Sequence, residues 1–168
     1  MRIFLLIFLS LLPTYSYSYT PPNPDNLKAD ISRLLNRPPT SLQKETALGC
    51  IAVSIYHEAR SEPPFGQVAV GSVIIQRALD RRWPDHPCDV VRQPSQFSYM
   101  TSLVDFPPIR QGSSWRNSVL YAAQSLLSGP LPELGGADHY HATYVSPSWS
   151  KTMRLQKRIG LHLFFASR

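Results

Sequence analysis

The 168-residue sequence has no apolar run long enough to span a membrane as a helix. Residues 3–12 form an apolar stretch of ten residues, whereas a membrane-spanning helix needs about 20. The stretch follows Arg2 and precedes small residues at 16–18, which is typical of a secretory signal peptide. We therefore expect residues 1–18 to be removed after Ser18, leaving a secreted, periplasmic or cell-envelope protein without a membrane anchor. Retention as an uncleaved anchor is the alternative.

Cysteine is scarce, because Cys50 and Cys88 are the only two in the chain. Neither lies near residue 18, which argues against a lipid-modified N-terminus after cleavage. In an oxidising compartment a single pair of cysteines favours a disulfide. This disulfide would close a separation of 38 residues and contribute about 3–4 kcal/mol in the chain-entropy model. Two free buried thiols are the alternative.

Acidic residues are few, with eleven Asp and Glu against seventeen Lys and Arg. Loss of residues 1–18 would remove only one charge and leave a net charge of +5. An exported protein with this excess is suited to an anionic extracellular polymer such as a bacterial cell wall, although positive charge also serves solubility alone. We do not expect nucleic acid as a partner, because the basic residues are scattered and the export signal points away from DNA.

The chain shows no internal repeat, and its apolar periodicity predicts mainly helices. Residues 19–40 form a proline-rich leader with a short helix capped by Asp25, and residues 41–168 form one domain. Three longer helices are predicted. The first runs from a capping box at Thr40 and Gln43 to about Arg60, and the second runs from Phe65 to about Arg82. The third runs from an N-cap at Ser113 or Ser114 to Gly129. Strands are predicted at His139–Val145 and Ile159–Phe165, which gives an α+β arrangement.

Glu58 is the strongest candidate for a catalytic residue. It lies on the last turn of the helix that Pro63 and Pro64 must follow. The helix macrodipole disfavours negative charge there, and apolar neighbours exclude water, so both effects raise the carboxyl pKa. A carboxylic acid that stays protonated near neutral pH can protonate a glycosidic oxygen.

Several motifs resemble the catalytic domain of the SleB-type cell wall hydrolase family, whose members include spore cortex-lytic enzymes. The resemblance covers roughly residues 48–165 and is carried by motifs in family order: IYHEARSE at 55–62, GQVAV at 66–70, Cys88, QFS at 96–98, GADHYH at 136–141, PSW at 147–149 and IGLHLF at 159–164. The sequence departs from the usual family pattern at Ser61, Gln76, Leu161 and Phe165. The resemblance identifies residues 41–168 as the catalytic domain.

The resemblance implies a lysozyme-like helical domain with a small antiparallel β-sheet near the C-terminus. It also implies lytic transglycosylase chemistry, in which the β-1,4 bond between N-acetylmuramic acid and N-acetylglucosamine is cleaved and a 1,6-anhydro sugar is formed. Such chemistry needs one carboxyl group, and Glu58 would act first as acid and then as base. The expected partner is the glycan strand of peptidoglycan. We expect a monomer that needs neither a cofactor nor a metal.

Further residues are candidates for binding the sugar chain. Polar side chains at Gln96, Ser98, Tyr140 and His141 can bond N-acetyl and hydroxyl groups, and the rings of Tyr144 and Trp149 can stack on sugars. Packing of these aromatic residues in the core is the alternative, above all for Trp149. We interpret Glu62 as a solvated acid or an ion-pair partner of Arg60, and His57, His139 and His162 as structural residues.

Two other functions compete with the glycosidase interpretation. His139 and His141 would lie on one strand face, and with His162 or Glu58 they could hold the zinc of an N-acetylmuramoyl-L-alanine amidase. Their spacing matches no established zinc motif. A wall-binding protein without enzymatic activity is the other alternative, against which the intact Glu58 argues.

Overall fold

The computed structural model describes residues 19–42 and 45–167. None of the helices in these ranges combines the length and apolarity that crossing a membrane would require. Within the ranges, five α-helices precede a small antiparallel sheet, which confirms the predicted α+β class. The elements are α1 (Pro24–Asn36), α2 (Ala47–Ala59), α3 (Pro64–Leu79), α4 (Pro87–Arg92), α5 (Ser113–Ser128), β1 (His139–Ala142), β2 (Arg154–Ile159) and β3 (His162–Ala166).

Helix α2 lies at the centre of the core. Every residue from Leu48 to Tyr56 is buried, so the helix is enclosed on all sides rather than on the single apolar face that its periodicity predicts. Helix α3 is buried in the same way from Gly66 to Ile75. Both helices pack against each other and against α5. This packing holds the C-terminal end of α2 in place, and Glu58 lies at that end.

A glycine allows α3 and α5 to approach closely. A Cβ atom at Gly71 would collide with the side chain of Ser125. The Ser125 hydroxyl instead donates a hydrogen bond to the Val68 carbonyl at 3.1 Å. This contact agrees with the close backbone approach that a glycine inside an apolar helix suggests.

The disulfide between Cys50 and Cys88 is present, as predicted. It joins the first turn of α2 to α4, and both sulfur-bearing residues are buried. The helix that carries Glu58 is thus attached covalently to the segment that leads into the loop at 93–100.

The predicted helix starts were wrong in three places. Helix α1 is capped by the Asn23 side chain, which accepts from the Asp25 N–H at 2.9 Å, so Asp25 is not its N-cap. Helix α2 begins later than the capping box at Thr40 suggested, because the Thr46 side chain caps it by accepting from the Gly49 N–H at 3.4 Å; Gln43 lies outside the described residues. Helix α5 begins after Gly112, so neither Ser113 nor Ser114 is its N-cap. At α1 and α2 several nearby polar residues could cap the helix, and the sequence does not show which one does. The residue before α5 is Gly112, with φ of +147°, and no side chain caps that helix.

The sheet has the strand order β1-β3-β2, with both pairs antiparallel. The predicted strand at Ile159–Phe165 was wrong in extent, because a turn at Gly160, with φ of +54°, separates Ile159 at the end of β2 from β3. Strand β2 itself was not predicted. It is an exposed edge strand with an irregular register between Leu155 and Lys157, so its sequence does not alternate cleanly.

The proline-rich leader packs on the helical core. Leu34 of α1 is fully buried, and its carbonyl accepts a hydrogen bond from the Trp115 Nε1–H at 2.8 Å. The Tyr19 hydroxyl donates to the Leu126 carbonyl, and its ring covers Gly129. The predicted signal peptide, residues 1–18, lies outside the described residues.

Candidate active site

A cavity of about 550 Å³ opens at the C-terminal end of α2. Its walls come from α2, Arg77 of α3, the loop at 95–98, strand β1 with the loop that follows it, and His162 of β3. The structure brings all seven residues that the sequence suggested for the site to this cavity: Glu58, Gln96, Ser98, Tyr140, His141, Tyr144 and Trp149. Segments more than 80 residues apart therefore meet around one carboxyl group.

The Glu58 carboxyl is half-buried at the wall of this cavity. Burial raises its pKa, while hydrogen bonds from the side chain and backbone of Ser98 lower it and offset part of the rise. The Ser98 hydroxyl donates to Glu58 Oε1 at 3.2 Å. The raised pKa confirms the direction predicted from the sequence, with loss of water as the main cause.

Arg77 is a residue of this site that the sequence reasoning missed. The side chain is buried, its Nε donates to the Asp138 carbonyl at 2.6 Å, and its Nη1 donates to Gln96 Oε1 at 3.0 Å. Arg77 thus holds the Gln96 side chain through its oxygen, and the Gln96 amide nitrogen takes no part in this contact. A single arginine within the apolar sequence of α3 was the available signal, since such a charge is buried only with partners.

Four residues of the wall have buried polar atoms without a hydrogen-bond partner among the described residues. These atoms are His57 Nε2, Tyr140 Oη, His141 Nε2 and His162 Nδ1. Buried polar atoms are nearly always paired with protein or water. The wall around Glu58 therefore has hydrogen-bonding capacity that a polar ligand or water can use.

The tautomer of His141 follows from its neighbours. His141 Nδ1 lies 2.9 Å from the Ala142 carbonyl, which can only accept, so this nitrogen carries the proton. In the neutral ring, Nε2 is then an acceptor. The ring also stacks on Phe165, with centroids 5.0 Å apart, which fixes its orientation.

The two predicted stacking residues differ in environment. Tyr144 is 81% exposed at the rim of the cavity and has no ring contact among the described residues. Trp149 is half-buried and contacts the rings of His139, His141 and Phe165. Trp149 therefore packs against the sheet, as the alternative considered for it proposed, and it also lines the cavity.

His57, which we interpreted from the sequence as a structural residue, lines the cavity beside Glu58. Its ring stacks on Tyr99, with centroids 4.9 Å apart. The Tyr99 hydroxyl lies 2.6 Å from the Ser54 hydroxyl, one turn before Glu58 on α2. Burial lowers the pKa of His57, and nearby Arg60 lowers it further, so the ring is neutral near pH 7. Tyr99 and His57 thus form a rigid support for one side of the site.

The interpretation of Glu62 as a solvated or Arg60-paired acid was wrong. Glu62 is buried, and its Oε2 accepts a hydrogen bond from the Leu161 N–H at 3.0 Å. Arg60 instead donates to the Tyr56 carbonyl. Glu62 lies outside the cavity and joins the α2–α3 turn to the β2–β3 turn. The partner is 99 residues away in sequence, so no local pattern could reveal it.

The histidines do not assemble a metal site. Among the described residues, no group of three His, Cys, Asp or Glu side chains lies close enough to hold a metal ion. His139 Nδ1 is bonded to Asp138 Oδ1 at 2.8 Å, and burial lowers the pKa of His162. The zinc set proposed from sequence is therefore not formed by these residues.

The sequence of this chain matches a known protein family. A family model described as Cell Wall Hydrolase matches residues 61–165, which is more than half of the chain. The chain belongs to the cell wall hydrolase family. The matched range begins just after Glu58 and includes all the other predicted site residues. The resemblance inferred from the sequence motifs is thereby confirmed.

Relatives of this cell wall hydrolase include spore cortex-lytic enzymes. The enzyme of Halalkalibacterium halodurans is 29% identical over 143 residues, which cover 85% of this chain and 41% of the relative. The enzyme of Bacillus subtilis is 30% identical over 115 residues, covering 68% of this chain and 35% of the relative. The chain thus spans well under half the length of these relatives.

Solved structures share the fold. The catalytic domain of the Bacillus cereus SleB protein superposes with a TM-score of 0.58 at 24% identity, covering 73% of this chain and 94% of that domain. The catalytic domain of the germination-specific lytic transglycosylase SleB from Bacillus anthracis gives a TM-score of 0.55 at 25% identity, covering 74% and 98%. The fold is that of a SleB catalytic domain.

Proposed function

We propose that this cell wall hydrolase degrades peptidoglycan as a lytic transglycosylase, with Glu58 as its catalytic acid and base. The observation that carries the proposal is a single carboxyl group with a raised pKa among the residues that line the cavity. Glycosidases that use water generally need two carboxyl groups across the scissile bond. Two other buried acids have partners outside the cavity, because Glu62 bonds Leu161 and Asp138 pairs with Arg82.

The reaction that we propose needs one proton carrier. Glu58 donates its proton to the glycosidic oxygen as the bond from this oxygen to C1 of N-acetylmuramic acid breaks. The C6 hydroxyl of the same sugar then attacks C1 and transfers its proton to the Glu58 carboxylate. The products are a 1,6-anhydro-muramic end and a free N-acetylglucosamine hydroxyl, and Glu58 is restored without consuming water.

The cavity walls support binding of an N-acetylated glycan. The Tyr140 hydroxyl, the Gln96 amide nitrogen and His141 Nε2 supply donors and an acceptor for N-acetyl and hydroxyl groups. Tyr144 and Trp149 add ring surface at the rim. These roles are proposals for each residue. The zinc amidase is less well supported, because the described residues provide no three-ligand group.

Muropeptide analysis by mass spectrometry tests the proposal. Purified protein is incubated with peptidoglycan sacculi, and we expect 1,6-anhydro-muramic ends. Free reducing ends would indicate hydrolysis by water instead, free stem peptides would indicate an amidase, and binding without release would indicate a non-enzymatic wall protein.

Glu58→Gln is the matched variant for this test. We expect it to lose release by at least about a thousandfold, because the amide can neither donate the required proton nor accept one. Its melting temperature should stay close to that of the wild type, because glutamine keeps the size of the side chain. Substantial residual release by Glu58→Gln would contradict the role of Glu58.

A further inference from the structure

The net positive charge of the chain is concentrated at its C-terminal end. Residues 139–168 contain no Asp or Glu but five Lys and Arg, whereas residues 1–138 contain twelve basic and eleven acidic residues. Nearly all of the net charge of +6 therefore comes from the segment that contains the sheet. Lys151, Arg154 and Arg158 of this segment are exposed, and we call these three residues the basic edge.

The basic edge lies on the outermost strand of the sheet and is not neutralised there. Arg154 and Arg158 belong to β2, the edge strand, and Lys151 ends the 3-10 turn that precedes it. None of the three pairs with a carboxylate among the described residues. Arg158 Nε donates to the Gly160 carbonyl at 3.4 Å, and neither terminal nitrogen of Arg158 has a hydrogen-bond partner among the described residues.

Two residues of the basic edge, Lys151 and Arg158, are close to residues that line the cavity. Lys151 lies in the same 3-10 turn as Trp149, which lines the cavity. In the sheet register, Leu163 pairs with His141 on one side and with Arg158 on the other, so these three residues form one row on one face. Two strand spacings separate His141 from Arg158, a distance of about 10 Å.

We propose that the basic edge binds the carboxylates of the peptide stems of peptidoglycan while the glycan occupies the cavity. This inference rests on the proposed function. The stems branch from the muramic acid that the reaction attacks, and they carry free carboxylates. A stem of three or four extended residues spans about 10–14 Å, which matches the distance from His141 to Arg158. Guanidinium groups bind carboxylates with two parallel hydrogen bonds, and no carboxylate among the described residues pairs with any of the three cations.

Binding measurements in the inactive Glu58→Gln background separate recognition from cleavage. Fluorescence polarisation is recorded with soluble glycan strands that carry stems and with strands from which an amidase has removed them. We expect the triple variant Lys151→Gln, Arg154→Gln, Arg158→Gln to bind stem-bearing strands at least about tenfold more weakly. Its affinity for stem-free strands should be unchanged. High salt should abolish the preference of the parent protein for stem-bearing strands.

A charge-matched control removes three exposed cations on or next to α1 and α5: Lys28→Gln, Arg37→Gln, Arg116→Gln. It should bind both kinds of strand like its parent. The substrate provides a second test that leaves the protein unchanged, because amidation of the stem carboxylates should reduce binding as much as the triple variant does. The measurement with amidated strands still tests the inference if the triple variant is unstable.

Two results would overturn the inference. One is equal affinity of the parent protein for stem-bearing, stem-free and amidated strands. The other is loss of binding to a poly(glycerol phosphate) by the triple variant while its preference for stems persists, because the basic edge would then serve a phosphate polymer. If the wild-type protein cleaves both kinds of strand with equal efficiency, only the inference about stem recognition is contradicted. If it cleaves neither kind, the proposed function is contradicted.

Discussion

At the scale of the residue, two opposing effects set the ionisation of Glu58. Burial raises the pKa of its carboxyl, and hydrogen bonds from Ser98 lower that pKa because they stabilise the charged form. The proposed reaction starts from the protonated acid. Activity should therefore fall as the pH rises through the pKa of Glu58.

Ser98→Ala should move this fall to higher pH. The variant removes the hydroxyl that donates to Glu58 Oε1 at 3.2 Å and so raises the pKa of Glu58 further. The measurement is kcat/KM against pH, with release of anhydro-muropeptides as the signal. Ser113→Ala, at an exposed position on α5, is the control and should keep the wild-type profile. A shift of the Ser98→Ala profile to lower pH, or no shift, would count against this account.

At the scale of the element, Glu62 couples two turns. It lies in the α2–α3 turn, and its Oε2 accepts from the Leu161 N–H in the β2–β3 turn. A Cβ atom at Gly160 would collide with the Glu62 carboxylate, so this close contact also requires glycine there. This hydrogen bond thus attaches the sheet that lines the cavity to the turn that follows α2, the helix that carries Glu58.

Glu62→Ala should destabilise the fold. It leaves the Leu161 N–H without its partner, which costs about 1–3 kcal/mol in the free energy of unfolding. Glu62→Gln should cost less, because its side-chain oxygen can still accept the bond. Urea denaturation measures both, and exposed Glu133→Ala is the control. The coupling would be disproved by a Glu62→Ala protein as stable as the wild type.

Local sequence patterns predicted the elements that depend on local rules. Apolar periodicity located α2, α3 and α5, and the prolines at 63 and 64 marked the end of α2. It did not reveal β2, because an exposed edge strand with an irregular register lacks alternation. The predicted caps of α1, α2 and α5 were also wrong. Nearby polar residues are equivalent in sequence at α1 and α2, and the N-cap of α5 is a glycine.

In the site, too, sequence patterns predicted only some of the features. Motifs located the residues around the cavity, but they did not reveal the contacts that hold these residues in place. Arg77 and Tyr99 act through partners that are distant in sequence, since Arg77 bonds Asp138 and Tyr99 contacts Ser54. The supporting residues of the site were therefore beyond sequence patterns.

At the scale of the whole molecule, Asp138 joins the C-terminal end of the chain to the helices. Its carboxylate accepts from Arg82 at 2.9 Å and from the Ser167 N–H at 2.9 Å, and it lies beside His139. Burial alone would raise the pKa of Asp138, but the hydrogen bonds from His139 and Ser167 outweigh burial and place the pKa well below its usual value.

Asp138 should therefore make stability depend on pH in acid. A carboxyl group with a lowered pKa in the folded state stabilises the fold above its unfolded pKa, which is about 3.9, and this contribution is lost as the pH falls further. Urea denaturation between about pH 6 and about pH 2 should show that Asp138→Asn is less stable than the wild type at the upper end, with the difference shrinking toward the lower end. Exposed Asp85→Asn is the control. A difference that is constant over the range would argue against this role.

Both ends of the described chain are held by side-chain contacts. Tyr19 rests on Gly129 and bonds Leu126, and Ser167 bonds Asp138. An affinity tag placed directly next to Tyr19 or Ser167 would compete with these contacts for space. Purification handles for this enzyme should therefore be joined through a flexible spacer and removed by a protease before its activity is assayed.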